Sequence, residues 1–544
     1  MAASRAAGPL ARALGALHGK AVGLPPARTR YRIRTALRVP TRDDAELLTD
    51  HYMPEGEARG TVLIRSPYGR GVPVSWMQGR MLAARGYDVL VQSVRGTTGS
   101  TGTLRPFVQE AEDAQDTVAW LRTQRWFDGR LATFGGSYSG WAQWALLQDP
   151  PPELRGAVIA VGPHDMQKAI YGTGALALAD FLAWSATVGA QGDGGLRGLR
   201  AQLAARRQLA SAWQELTPEA AAASVLKGDA ADWFGEWLAH PDADDPFWTD
   251  YRADSTLDHV DVPILLIGGW HDVFLDQTVH QYRTLRRHNQ SVTLTIGPWT
   301  HMGTAAKAAR VMDPQLLGWL DHHLAGDKAA AAEAPVRIHH TGARTWLDLP
   351  DWPPPGTERA LWPQRDGGLG PRPGSGSAGF RYDPADPTPA VGGRYIGTRS
   401  GTVDNRGLEQ RPDVLTFTTG MLAEPIDVVG APAVEFDLVV DNPHADVFVR
   451  LCDVDRRGRS RVVTERFARL KRATLESTVV RLELGACAHR FAAGHRVRLQ
   501  VSGGAHPRFA RNPGRDTSGG FAPVTYRVGL AGSVLTLPVP KGTQ

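Results

Sequence analysis

Only two cysteines, Cys452 and Cys487, occur in the 544 residues. They cannot build a disulfide framework or a cysteine-based zinc site, and neither sits in a nucleophile signature. A reducing, cytoplasmic compartment is what such a composition fits. Long apolar runs are lacking too. The N-terminal ones are broken by Arg5, Arg12, His18 and Lys20, which leaves no signal-peptide core and no 18-residue span for a bilayer, so no membrane partner is expected. Acidic residues are absent from Met1 to Arg42, a weak transit-peptide trait, and residues 1–30 are read as a soluble N-terminal extension. Charge of one sign is lacking as well: 61 Lys and Arg face 56 Asp and Glu, a net charge of +5, with bases and acids mixed as in Glu465 to Arg472. Nucleic acid is therefore not an expected partner. No H-E-x-x-H or comparable ligand spacing occurs, His322 and His323 read as a solvated helix end, and neither a metal nor another cofactor is expected.

What is present is the composition of a folded enzyme, with 42% hydrophobic and 22% charged residues and 60 glycines, at a length suited to three or four domains. Thr61 to Arg65 and Asp88 to Gln92 are compact apolar strands separated by a helix-like stretch near Met77 to Arg85, which is βαβ grammar and implies a parallel sheet. Residues from about Asp165 to His240 are rich in Ala, Leu and Trp at helical spacing and read as an insertion that caps the sheet. The β-branched run Val262 to Gly268 resumes the core. An alanine-rich stretch over 326–335 follows, and beyond Val336 short alternating strands such as Ala433 to Val440 and Val497 to Ser502 point to an all-β jelly roll or sandwich. Pro371 to Gly379 reads as a flexible loop within it. The expected division is catalytic domain 31–164 and 255–325, cap 165–254 and C-terminal domain 335–544.

Leu131 to Phe134, the turn Gly135-Gly136-Ser137-Tyr138-Ser139-Gly140 and a helix-forming Trp141 to Leu147 supply a strand, a sharp elbow and a helix. That order lifts a serine hydroxyl clear of a sheet and leaves the Tyr138 N–H at a helix N-terminus, where an oxyanion can form. The turn departs from G-x-S-x-G, because Ser139 occupies the second glycine position. A serine needs a base, and the base an orienting acid, in the chain order Ser, acid, His. Asp272 and His301 both follow predicted strands, at the end of Gly268-Gly269-Trp270-His271-Asp272 and of Gly297-Pro298-Trp299-Thr300-His301. His271 is the rival base and Asp276 the rival acid.

Arg65-Ser66-Pro67-Tyr68, the Gln92 to Gly102 loop, Trp126-Phe127-Asp128-Gly129, Gly135 to Gly140, Gly269 to Phe274, Gly297 to His301 and Phe491 to Arg511 follow one another in an order that resembles the cocaine-esterase-like (CocE/NonD) hydrolases. These are relatives of X-Pro dipeptidyl-peptidases and α-amino acid ester hydrolases. The resemblance implies an α/β-hydrolase domain with a helical cap insertion, followed by a C-terminal all-β jelly-roll domain. It also implies a serine motif G-x-S-Y-x-G, which Ser139 no longer violates, and a tyrosine, here Tyr68, that donates its hydroxyl to the oxyanion. The expected activity is cleavage of a small or aromatic acyl ester through an acyl-enzyme on Ser137 and hydrolysis by water. Its rivals are an X-Pro dipeptidyl-peptidase or amide acylase with the same triad and a non-catalytic ligand-binding protein. The expected partner is a small-molecule ester or amide, and a homodimer is left open. Asp165 and Asp180 are the candidates for holding a substrate ammonium group, and Trp184, Trp233 and Trp237 either wall an acyl pocket or pack the cap.

Overall fold

The computed structural model describes residues 4–541, apart from 72, 192–202, 205–206, 331–333, 398, 471–475 and 515–520. Part of the expected cap and three residues of the alanine-rich stretch thus lie outside the described residues.

Eleven strands form one sheet: β1 (Arg5–Ala6), β2 (Tyr31–Pro40), β3 (Glu46–Pro54), β4 (Thr61–Ser66), β5 (Asp88–Ser93), β6 (Leu131–Gly136), β7 (Leu154–Ala160), β8 (Ile264–His271), β9 (Val292–Thr300), β10 (Val336–His340) and β11 (Thr345–Leu349). Their spatial order is β1-β2-β3-β5-β4-β6-β7-β8-β9-β10-β11. From β5 to β10 every neighbouring pair is parallel. β4, β5 and β8 are buried along their whole length, the continuous apolar signature of a sheet covered on both faces. Parallel strands need crossovers, and the helices Glu110–Arg122, Tyr138–Leu147 and Leu275–Leu285 provide them. The first of these buries Ala114, Val118 and Leu121 at helical spacing.

The N-terminal segment adds the edge strand β1 and a helix, Pro9–Val22, whose His18 bonds Asp313 at 3.0 Å. Between β7 and β8 the chain leaves the sheet for the helices Met166–Tyr171, Leu178–Gly189, Pro218–Val225 and Asp229–Ala239. They share a core cluster with the sheet, in which Trp233, Phe234 and Trp237 are buried. The C-terminal part is all β. One sheet pairs Gly356–Pro363, Val524–Pro540, Ala433–Val440 and Thr478–Glu483, and a second pairs Val414–Thr418, Arg496–Ser502, Asp446–Val454 and Ser460–Arg469. Inward residues of both, among them Phe436, Val449, Leu499 and Leu535, form a separate core, as alternation in stacked sheets requires. The segment expected to be a loop ends in a strand, Ser377–Tyr382, which pairs antiparallel with Val524–Pro540 and stacks Phe380 on Tyr526 at 4.4 Å.

Candidate active site

Ser137 joins β6 to the Tyr138–Leu147 helix with φ 59° and ψ −122°, a left-handed geometry that a non-glycine residue adopts only under strain. The neighbours make this bend possible. A Cβ on Gly135 would lie 2.4 Å from Ser139 Cβ, and one on Gly140 would lie 2.5 Å from Gly162 Cα, so the elbow closes only with glycine at both places.

Because β4, β6, β8 and β9 are parallel, their carboxyl ends meet at one edge, and the loops leaving them carry Tyr68, Ser137, Asp272 and His301. His301 Nε2 lies 2.9 Å from Ser137 Oγ, and His301 Nδ1 lies 2.6 Å from Asp272 Oδ1. The Asp272 carboxylate is fully buried and also accepts from the Phe274 N–H at 3.1 Å. Since a carboxylate only accepts, Nδ1 carries the ring proton and Nε2 is left to accept from the serine hydroxyl. The Thr300 side chain caps the helix that His301 begins, accepting from the Gly303 N–H at 3.0 Å.

The Tyr68 hydroxyl neighbours Ser137 and accepts from the Trp184 indole at 3.1 Å, and burial raises its pKa, keeping the phenol protonated. The Tyr138 N–H opens its helix and has no intrahelical acceptor. Its side chain turns away from the serine: the hydroxyl donates to Glu110 Oε1 at 2.8 Å and accepts from the Phe107 N–H at 3.1 Å. Glu110 in turn pairs with Arg65 at 3.0 Å, so the conspicuous Arg65 of the S-P-Y segment anchors the loop that brings Phe107 in.

The two rival residues lie elsewhere. Asp276 accepts from Arg394 at 2.7 Å and from Arg466 at 2.9 Å, both on the C-terminal domain. His271 is buried against the other side of the turn, and burial pushes its pKa down to about 4. Asp165 caps the Met166–Tyr171 helix and pairs with Lys168, and it does not line the pocket over Ser137. Asp180 does reach the site region: it is buried, accepts from the Ile396 N–H at 2.6 Å, and has its pKa raised to about 6, mainly by burial.

The pocket over Ser137 is lined by Phe107, Pro163, Met166, Phe181, Trp184, Phe274 and Ile396, along with Tyr138. Of the three tryptophans singled out in the cap, Trp184 walls the pocket, whereas Trp233 and Trp237 are buried in packing. Ile396 comes from the C-terminal domain, and no motif in the sequence pointed to it. Phe107 was equally silent, its only local mark in the structure being φ 74°.

Among the described residues, one group of metal-ligand type, His164, Asp254 and His280, brings its atoms within 4.8 Å of one another. The Lys168 ammonium, 2.8 Å from Asp254, already occupies that carboxylate. No described helix is long and apolar enough to cross a membrane.

Residues 43–303 match the profile of the X-Pro dipeptidyl-peptidase (S15 family), and residues 328–525 match the X-Pro dipeptidyl-peptidase C-terminal non-catalytic domain. The chain is 29% identical to the cocaine esterase of Rhodococcus sp. (strain MB1 Bresler), over 89% of this chain and 92% of that protein. Among solved structures it is similar to an aminopeptidase from a marine sediment Thaumarchaeota archaeon (TM-score 0.77, 24% identity, 94% of this chain and 96% of that one). An α-amino acid ester hydrolase superposes equally well (TM-score 0.77, 23% identity, the same coverage).

Proposed function

Because the chain belongs to the CocE/NonD hydrolases, the serine hydrolases related to X-Pro dipeptidyl-peptidases, we propose that it cleaves carboxylic esters with apolar acyl groups through an acyl-enzyme on Ser137. The observation that carries this reading is the continuous hydrogen-bonded chain Ser137, His301, Asp272 beneath a pocket lined by apolar and aromatic side chains.

In this mechanism His301 Nε2 takes the Ser137 hydroxyl proton as Oγ attacks the ester carbonyl, and Asp272 stabilises the imidazolium that results. The carbonyl oxygen becomes an oxyanion, met by the Tyr68 hydroxyl and the Tyr138 N–H, donors held in place before the charge develops. Collapse breaks the bond to the alkoxy group, His301 returns its proton to the leaving alcohol, and the acyl group remains on Oγ. Water then attacks with His301 again as base, releasing the carboxylic acid and restoring Ser137.

The pocket also supports esters over substrates with a free amino terminus. Asp180 is a single carboxylate already bonded to the Ile396 N–H, and Asp165 is committed to Lys168. A cytoplasmic location suits the two buried free thiols, and a small-molecule substrate suits the pocket. The exposed Leu14 and Leu17 of the N-terminal helix support a homodimer, which size-exclusion chromatography would test.

The decisive experiment pairs fluorophosphonate labelling with turnover of nitrophenyl esters and Gly-Pro-nitroanilide. Ester turnover with a label on Ser137 that is lost in Ser137→Ala is the expected result. Anilide turnover without ester hydrolysis would replace this reading with the peptidase one, and a folded chain that takes no label would leave a binding protein.

A further inference from the structure

We propose that a second, separate site, the cavity between the catalytic domain and the C-terminal sandwich, binds a small anion carrying phosphate or carboxylate groups. The cavity measures about 840 Å³, a size common for small-molecule sites. It lies behind the triad rather than over it: His271 and Thr300, the residues immediately before Asp272 and His301, line it, and none of the acyl-pocket residues does.

Its charge is unbalanced toward cations. Among the described lining residues there are four permanent cations, Lys307, Arg344, Arg459 and Arg461, and two carboxylates, Asp453 and Asp455. Both carboxylates are already engaged. Asp455 holds Arg459 at 2.7 Å and Arg461 at 3.4 Å, while Asp453 faces His495 at 2.8 Å and His489 at 3.2 Å. Lys307 and Arg344 have no carboxylate or side-chain hydrogen-bonding partner among the described residues.

Two cations left unpaired around one concavity focus a positive potential there. The arginine fork matches the oxygen geometry of carboxylate and phosphate, and the indoles of Trp270 and Trp299 supply apolar wall for the body of the ligand.

The test is isothermal titration calorimetry of the full chain, at constant ionic strength, with inorganic phosphate, tripolyphosphate and citrate as separate probes. One site per chain is expected for at least one probe. Binding of the phosphates alone, or of citrate alone, identifies which oxyanion the site is built for. The double variant Lys307→Ala with Arg344→Ala removes two exposed side chains, so circular dichroism and melting should match the parent, and it should weaken binding at least tenfold. Absence of binding by all three probes, or equal affinity in parent and folded double variant, overturns the assignment.

Discussion

The Trp184 indole N–H donates to the Tyr68 hydroxyl at 3.1 Å. An indole nitrogen has no lone pair to offer, so the phenol oxygen is the acceptor and its own proton is left for another partner. Ser137 is the other polar neighbour of this hydroxyl, on the side where an ester carbonyl would sit. A cap residue therefore orients a donor that belongs to the catalytic domain. Tyr68→Phe should lower kcat by about 10² to 10³, or about 2.7 to 4 kcal/mol, with little change in KM. Trp184→Phe should cause a smaller fall, because the phenol stays but loses its fixed direction. Steady-state kinetics on an activated ester decides the point, and a Tyr68→Phe kcat within about threefold of the parent removes Tyr68 from the mechanism.

Asp272 and Asp276 are four residues apart and predict opposite phenotypes. Asp272→Asn should reduce kcat by about 10⁴ while leaving stability nearly intact, since it disturbs the tautomer of His301 and little else. Asp276→Asn should keep kcat within a few fold but weaken the tie to Arg394 and Arg466. A loss of about 1 kcal/mol is expected, below that of a fully buried pair because the Asp276 side chain is 39% exposed. Urea denaturation beside kinetics separates the two effects, and exchanged phenotypes would make Asp276 the acid.

Asp180 gives stability a pH dependence. Its pKa rises from 3.8 to about 6 on folding, chiefly through burial. Below 3.8 the group is protonated in both states. Between 3.8 and 6 the folded chain keeps a proton that the unfolded chain releases, so its contribution to stability falls as pH rises, and the loss is complete above about 6. The shift corresponds to roughly 3 kcal/mol. Asp180→Asn retains an acceptor for the Ile396 N–H and should remove this slope, gaining stability relative to the parent as pH goes from 4 to 7. Parallel pH profiles of parent and variant in chemical denaturation would refute it.

Ile396 reaches the pocket over Ser137 from the C-terminal domain, its backbone held by Asp180. Shortening it opens space next to Ser137. Ile396→Ala should raise kcat/KM for hexanoate relative to acetate nitrophenyl esters by about tenfold, in keeping with 1 to 3 kcal/mol per methylene in an apolar pocket. An unchanged ratio would place the acyl chain elsewhere.

Much of this molecule is legible along the chain because it depends on neighbours in sequence. The buried runs of β4 and β5 and the glycines that let the chain bend around Ser137 express local backbone and side-chain preferences. The α/β-hydrolase domain followed by an all-β domain is the architecture found, and the chain matches the S15 profile and its C-terminal companion in the same order. Tertiary structure alone decided what depends on distant contacts. Asp276 and Asp272 both follow a glycine-rich strand end, and nothing local separates them. They differ because arginines 118 and 190 residues downstream fold back onto Asp276, whereas the parallel pairing of β8 with β9 places His301 against Asp272. Ile396 and Asp180, 216 residues apart, meet for the same reason. Periodicity and turn chemistry reach only a few residues along a chain, while a buried charge or pocket wall takes its identity from whichever segment the packing brings beside it.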